Sequence, residues 1–574
     1  MSDTTLEADG SRLSRWVAPL VVLLSTFPPL YGLWITQGAP MEEGFMLVFP
    51  EMVLDGQVPN RDFLHLYGPG SLWVLAAVFA VAGVSLASER VVGYLQHLGV
   101  VFGVYRLLRP WGPWIAAGGG VISALLVMTP SGLAAMAWVG GVALGAWALS
   151  FALDASLEGR EASWRPVVAG VLAAAALLYR PDLVLALTVA AVVAIPPLSS
   201  RNRRRALLGF AAGCVPWLVH VAMAGPGHVI EGLVVQPIVD LRGGRRLPIP
   251  PSPHHFDGFL EGAWVFDPPP WPLPAPSGPR QLWLWFFALL ATGVLLLVAG
   301  WLCRRRTGDH RLLAIAAFSV GLFPQAMQRP DSAHLAWVGC IGFAVLPAAF
   351  VELGRAWAAR RERGTAPRAS TARASAGAGL ASVGAVLVIL VVVAPHFTYR
   401  NYAEVAAKTF GARRLEEVIR HDGREFPYKR DDAVDAVRAL LDRVDEVTEP
   451  GDRLVVGPGD LSRTTYSEAF LYHLLPDLVP GTKYVEMDPG VADADDSGLA
   501  DEVADADVVI LSTLFDDWTE PNDSRRSGSD APNEVLRSQL CLDRSFGRNP
   551  IDPERGLYEL YLPCDRPSPD EAPG

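Results

Sequence analysis

The sequence predicts a polytopic α-helical membrane protein carrying a soluble α/β domain at its C-terminal end. Three observations predict it. Of 574 residues, 51% are hydrophobic and 19% charged, too apolar for a water-soluble chain of this size. The apolar residues cluster in blocks of about 17–25, the length that a bilayer core demands. After residue 396 the character inverts: 38 Asp and Glu stand against 20 Lys and Arg, and strand-like runs alternate with helical ones.

Twelve apolar blocks lie near 16–36, 71–87, 91–107, 111–129, 132–152, 166–180, 181–198, 206–225, 281–302, 311–328, 333–353 and 377–395. The first follows Arg12 and Arg15 and has no small-residue cleavage site, so it should stay as an anchor behind a cytoplasmic tail, residues 1–15. Arginine clusters should face the cytoplasm. The clear ones are Arg201 with Arg203–Arg205, Arg304–Arg306, and Arg355 with Arg360, Arg361 and Arg363. With those inside, the loops 37–70 and 226–280, the turn at Arg329–His334 and the whole tail fall on the outer face. Eight blocks precede residue 226, whereas passing from inside to outside takes an odd number of crossings. Either 166–198 is one span broken at Arg180–Pro181–Asp182, or one block between 71 and 107 does not cross. The expected count is eleven crossings, or thirteen with a further helix.

The membrane domain is therefore read as residues 16–395 and the extracytoplasmic α/β domain as 396–574. The stretch 361–376 reads as a basic flexible linker. Loop 226–280 is long and proline-rich and holds Arg242, Arg245, Arg246, His254, His255 and Asp267; loops of that length are commonly functional or disordered. In the tail, 431–447 has apolar residues at helical spacing behind an acidic start. Strands are predicted within 452–459, 507–512 and 557–563, with helical stretches at 471–475 and 499–506. Cys214, Cys303 and Cys340 lie in apolar blocks. Cys541 and Cys564 lie in the tail and could pair in an oxidising compartment. Arginine is abundant but scattered through short loops, which argues against a nucleic-acid surface.

The chemistry-bearing feature is Glu42–Glu43, two adjacent carboxylates just past the first apolar block, followed by Asp62, His65 and Tyr67. Charged groups at the membrane face of so apolar a chain are candidates for function. Arg180 with Asp182, Arg242, Arg245 and Arg246, and Arg329 with Asp331 and His334 are the further polar candidates. Each also has a plain reading: Arg180–Asp182 as a structural ion pair, Arg329–His334 as a polar cap, the loop arginines as surface charge.

The first outer loop resembles that of the GT-C superfamily of integral membrane glycosyltransferases, in particular the protein mannosyltransferase and aminoarabinose transferase branch. The resemblance is carried by Glu42–Glu43, by Gly56-Gln57-Val58-Pro59-Asn60-Arg61-Asp62-Phe63 and by Gly68-Pro69-Gly70. Arg180–Pro181–Asp182 and Arg329–Pro330–Asp331 with His334 resemble polar steps of the same families, so the likeness covers roughly residues 16–350. The chain departs from the pattern in beginning the acidic pair with Glu42 and in lacking a lysine before the second helix. Arg61, His65 or an arginine of 242–246 would have to take that lysine's place.

The resemblance implies an inverting transferase that takes a sugar from a polyprenyl-phosphate donor and passes it to an envelope glycan, lipid or protein on the outer face. An acceptor hydroxyl attacking the anomeric carbon must lose a proton, and one carboxylate suffices as base; Glu42 is the first choice and Glu43 the second. The leaving lipid phosphate favours cations, for which Arg242, Arg245, Arg246 and Arg329 are available. No cofactor is certain, and the ligand spacings do not support a divalent metal. Two tail motifs look functional and are discounted: Asp493-Ala494-Asp495 as a metal site and Gly457-Pro458-Gly459-Asp460 as a phosphate loop, where proline removes a backbone donor. The stretch 520–529 has no mechanism beyond a turn-rich loop. The rival functions are a flippase for a lipid-linked sugar, which would call for inverted repeats and broken helices at mid-membrane, and a non-catalytic envelope-assembly protein.

Overall fold

The computed structural model describes residues 16–36, 38, 40–130, 132–157, 163–256, 275–361, 372–428, 431–516, 518–549 and 552–565. The tail 1–15, linker residues 362–371, Asp267 and the side chain of Arg242 lie outside the described residues.

The chain is a multi-pass membrane protein. By length and composition, six described helices can cross a bilayer: Trp16–Ile35, Leu86–Trp111, Ala137–Ser156, Ser200–Ala224, Gly278–Thr307 and Ser332–Arg360. The pair Gly377–Val393 and His396–Thr409, bent by 97°, makes a seventh. That is six or seven helices of spanning length, against the eleven to thirteen expected. The difference lies in four shorter apolar helices, Gly70–Ala82, Pro113–Val127, Arg165–Tyr179 and Pro181–Ala194. At about 1.5 Å rise per residue, a 13-residue helix such as Gly70–Ala82 covers about 20 Å, short of a hydrocarbon core about 30 Å thick. The run 166–198 is indeed broken at Arg180, which leaves the helical region with an extended backbone before Pro181 restarts it.

Local chemistry sets the helix starts. Ser85 accepts a hydrogen bond from the Ser88 amide at 3.2 Å and Ser199 one from the Asn202 amide at 3.3 Å, each satisfying a donor that the first turn leaves open. The segment read as a loop from residue 226 is helical in its first part: Pro226–Ile230, a π-helical Glu231–Asp240 and Leu241–Arg245 follow one another. Pro237 sits in the π-helical turns, whose altered hydrogen-bond register accommodates a residue without an amide hydrogen.

The C-terminal part holds a mixed five-stranded sheet. Strands β1 (Glu417–His421) and β2 (Arg424–Tyr428) form a separate antiparallel hairpin. Strands β3 (Arg453–Pro458), β4 (Val479–Pro480), β5 (Val508–Ser512), β6 (Leu540–Phe546) and β7 (Tyr558–Pro563) stand in the order β4-β3-β5-β7-β6. β3 runs parallel to β4 and β5, while β7 is antiparallel to β5 and β6. A disulfide joins Cys541 in β6 to Cys564 just after β7, with Cα atoms 4.9 Å apart.

This sheet is not a detached module. One apolar core takes in Phe45, Met46, Phe49 and Phe63 from the segment after the first span together with Phe426, Phe470, Ile510 and Tyr558 of the C-terminal part. The helix Pro40–Leu54, which carries Glu42 and Glu43, comes so close to the C-terminal part that a Cβ on Gly44 would stand 2.5 Å from the Phe470 nitrogen. Farther along the same helix, Glu51 accepts hydrogen bonds from Arg424 at 2.5 and 2.8 Å. A second junction forms where Thr409 Oγ1 accepts from the Gly32 amide at 2.8 Å.

Candidate functional site

Pro40 starts the helix Pro40–Leu54 and places both glutamates in its first turn, where open amides favour negative charge. Neighbours on a helix point about 100° apart, so the two carboxylates go to different places. Glu43 turns inward and is fully buried against Arg90, itself 1% exposed. The Arg90 Nε donates to Oε1 at 2.7 Å and Nη2 donates to Oε2 at 2.8 Å. The same guanidinium donates to the carbonyls of Trp34 and Thr36, fixing the chain between the first span and Glu42.

Glu42 is left partly buried and faces positive charge. Burial raises its carboxyl above the usual range, while its own backbone amide and then the charges of Arg245, Arg329 and His334 pull it back. Those three groups come from separate elements. Arg245 ends the helix Leu241–Arg245, Arg329 caps Phe323–Gln328, and His334 lies in the first turn of Ser332–Arg361. A hydrogen-bond network fastens them together. Arg329 Nη1 donates to the Arg245 carbonyl at 3.0 Å and to Glu520 Oε2 at 2.9 Å, and Nε donates to Asp331 at 3.1 Å. Asp331 Oδ1 accepts from the His334 amide at 2.9 Å and meets its Nδ1 at 2.8 Å. Against the penalty of burial, His334 and then Arg329 hold the Asp331 carboxyl down to about 2. Arg245 pairs with buried Asp488.

Tyr67, Arg180 and the C-terminal part add a further group of contacts. The Arg180 guanidinium lies 4.3 Å from the Tyr67 ring centre and 5.3 Å from that of Trp138. Glu486 is buried, and its carboxyl is raised first by burial and then by Asp488, with Arg245, Glu42 and Arg180 also acting on it. Tyr466, another C-terminal residue, approaches the Met41 backbone and feels the Glu42 charge. The first loop, the Leu241–Arg245 segment, the Arg329–His334 turn and the C-terminal part thus converge on Glu42.

No family model matches the sequence, and no curated protein does. Among solved structures, ArnT from Cupriavidus metallidurans bound to undecaprenyl phosphate superposes with a TM-score of 0.51 at 14% identity, over 97% of this chain and 99% of that one. The chain has the GT-C fold. The apo state of that ArnT gives a TM-score of 0.46 at 13% identity, covering 96% and 98% of the two chains. Archaeal oligosaccharyltransferase AglB from Archaeoglobus fulgidus, in complex with an inhibitory peptide and a dolichol-phosphate, gives 0.44 at 12% identity, covering 88% and 70%.

Within this fold several of the candidates from the sequence are engaged with partners of their own. Asp62 closes its own turn, accepting from Arg61 at 2.7 and 2.9 Å and from the Val58 amide at 2.7 Å. His65 is buried edge-on to Phe49 and Tyr67 at 5.5 Å; burial pushes it down to about 3, so it is neutral and cannot replace a lysine. Arg61 is held by Asp62 and the Met223 carbonyl. Asp182 pairs with Arg180 at 2.7 Å and is 45% exposed. Arg246 is exposed. Arg245 and Arg329 remain as the described cations beside Glu42.

Four residues around Glu42 were not singled out from the sequence, Arg90, Glu486, Asp488 and Tyr466, and Glu520 was noted only as part of a turn-rich stretch. Arg90 had a signal, as an arginine beside an acid at the start of an apolar helix, a position that calls for a buried partner. Glu520 lies in the turn-rich stretch 520–529, which the structure explains as the clasp on Arg329. Glu486 and Asp488 flank Met487, whose φ is +41°, so no strand or helix periodicity marks them.

The discounted tail motifs have structural partners. Asp493 is buried and accepts from the Gly490 amide at 2.6 Å. Among the described residues, one group of potential metal ligands comes together within 4.8 Å: His421 and Asp422 of the β1–β2 hairpin with Asp445 of the helix Asp431–Val447.

Proposed function

We propose that this chain is a membrane glycosyltransferase that takes a sugar from a polyprenyl-phosphate donor and transfers it, with inversion, to a cell-envelope acceptor at the outer face. The observation that carries the reading is the division of labour in the acidic pair. Glu43 is saturated by Arg90, whereas Glu42 stands partly buried opposite Arg245 and Arg329.

Glu42 is the base. A carboxyl raised above its ordinary value holds an abstracted proton better while staying titratable, which suits general-base work. Arg245 and Arg329 take the phosphate of the donor, their planar forks stabilising the charge on the departing oxygen. Tyr67 and Arg180 form the rim that orients the sugar. Bound by these groups, the donor phosphate offsets two cations that would otherwise weaken Glu42 as a base. The full-coverage likeness to a GT-C protein bound to undecaprenyl phosphate supports the donor class, and the convergence of the C-terminal part on Glu42 supports its lying on the same face as the first loop.

The test is transfer by purified protein in nanodiscs with polyprenyl-phosphate-linked sugars. Glu42→Gln should lower kcat by about 10²–10⁴, the usual worth of a positioned base, with the thermal transition unchanged. Full transfer by this variant would sink the assignment.

A further inference from the structure

A second polar cavity lies in the C-terminal part. It has a volume of ≈ 220 Å³ and is lined by Asp460, Arg463, Thr465, Phe515, Asp516 and Arg555, with Pro458 at its edge. Its place follows from the sheet. β3 and β5 are adjacent and parallel; β3 ends at Pro458 and β5 at Ser512, and the chain leaving each strand supplies Asp460 and Phe515–Asp516. Open sheets with parallel strands bind ligands in the crevice beyond the carboxyl ends of those strands. Gly459 keeps the crevice open, since a Cβ there would lie 2.6 Å from an Asp516 carboxylate oxygen and 2.9 Å from Arg555 Nη2.

The lining selects the ligand. Arg555 is paired with carboxylates, whereas Arg463 is held by backbone carbonyls and faces the Asp460 charge. Arg555 donates to Asp516 at 2.9 Å and to Glu559 at 2.8 and 3.0 Å, and Arg463 donates to the carbonyls of Trp518 and Asp516 at 2.9 and 3.3 Å. With two lining carboxylates against two lining guanidinium groups, the cavity has no surplus of positive charge for a phosphate or a carboxylate. Against its burial penalty, Asp460 is held below the usual carboxylate range by Ser462 and Asn533, so it stays an acceptor. All the bonds from those two residues go to Oδ1. A ligand rich in hydroxyls, each able to donate and accept, matches such a set, and the Phe515 ring offers an apolar face. The volume suits one monosaccharide ring.

Aromatic packing links the cavity wall to the helix that carries Glu42. Phe515 packs against Tyr466 with the rings tilted by 44° and their centres 3.9 Å apart, and Tyr466 is the residue that approaches Met41, next to Glu42. One aromatic side chain separates the two.

We infer that this crevice at the carboxyl ends of β3 and β5 is an acceptor subsite that holds a neutral sugar ring of a glycan whose neighbouring residue is presented to Glu42. The inference rests on the transferase reading above and narrows its acceptor to a glycan.

The test uses the full chain in nanodiscs and needs no turnover. Methyl α-D-mannopyranoside and methyl α-D-arabinofuranoside are the probes, read by saturation-transfer NMR, with inorganic phosphate as competitor. At least one glycoside should bind the wild-type chain in the millimolar range, survive phosphate, and bind at least tenfold more weakly to Asp516→Asn. Where Asp516→Asn fails to fold, Thr465→Val, which keeps shape and removes one hydroxyl, should weaken binding severalfold. No binding of either glycoside to the wild type, equal binding to both variants, or displacement by phosphate overturns the proposal. Binding of the lipid-linked donor by the wild-type chain, measured without acceptor, reports the Glu42 site separately. Its failure beside intact glycoside binding would remove the transferase reading and leave the sugar-binding crevice standing.

Discussion

Glu43 and Arg90, 47 positions apart in sequence, form a two-point ion pair in which neither side chain reaches solvent. The pair locks the first turn of the helix Pro40–Leu54 to the start of the next long span. It holds Glu43 inside the fold while Glu42, one residue earlier, is left partly buried, and that separates the effects of mutating the two glutamates.

Removing one partner of a buried pair strands a charge and costs about 3–5 kcal/mol. Glu43→Gln should therefore lower the thermal transition of the detergent-purified protein markedly, and Arg90→Met should do the same. The double variant Glu43→Gln/Arg90→Met should recover part of the loss. A Glu43→Gln protein as stable as the wild type would show that the pair contributes nothing to the fold.

Burial lifts Glu42 above the ordinary carboxylate range and neighbouring cations lower it again. The base works ionised, so kcat/KM should fall as pH drops through this raised pKa, at higher pH than for an exposed glutamate. Arg329→Gln removes one of the lowering charges and should move the acid limb of the profile further up. A limb that stays in place or moves down would contradict the charge coupling of the two residues.

Asp331 has two duties: it accepts from the His334 amide at the start of a long helix and pairs with Arg329 and His334 side chains. Asparagine keeps the cap and loses the charge, whereas alanine loses both. Asp331→Ala should be less stable than Asp331→Asn by about 1 kcal/mol, the common worth of a cap, as read by thermal unfolding. The folded pKa is depressed to about 2, so this carboxylate's stabilisation is present above its unfolded value near 3.9 and is lost as pH falls towards 2. That acid-side loss should be absent in both variants.

Glu520→Gln should weaken donor binding rather than chemistry. The carboxylate holds Arg329 from the C-terminal side, and a neutral amide leaves that guanidinium held only by Asp331 and the Arg245 carbonyl among these partners. Steady-state kinetics should show a several-fold rise in donor KM with a smaller change in kcat; the reverse pattern would mean that Glu520 touches the reacting atoms.

The membrane character, the acidic pair and the Arg329–His334 turn were legible because each rests on local sequence: apolar run length, adjacent charges, a proline-bounded turn. The pairing of Cys541 with Cys564 was legible as an option and is realised. Short apolar helices were overcounted, since a run such as 71–87 reads the same whether or not its helix stops at Ala82. Asp62 and His65 were placed near the chemistry by adjacency, but the tight turn at Val58–Asp62 points Asp62 at its own backbone. Arg90, Glu486 and Glu520 join the site through pairs 47 to 191 residues apart or through a cluster of buried charges. Such long-range pairings leave no periodicity to read.

The apolar core shared by the helix Pro40–Leu54 and the C-terminal sheet also imposes an order in time. During synthesis the glutamates emerge more than 400 residues ahead of Ile510 and Tyr558, which complete the core around their helix. A nascent chain therefore carries Glu42 before it carries the sheet residues that pack around its helix, and the site is assembled only once that sheet has folded.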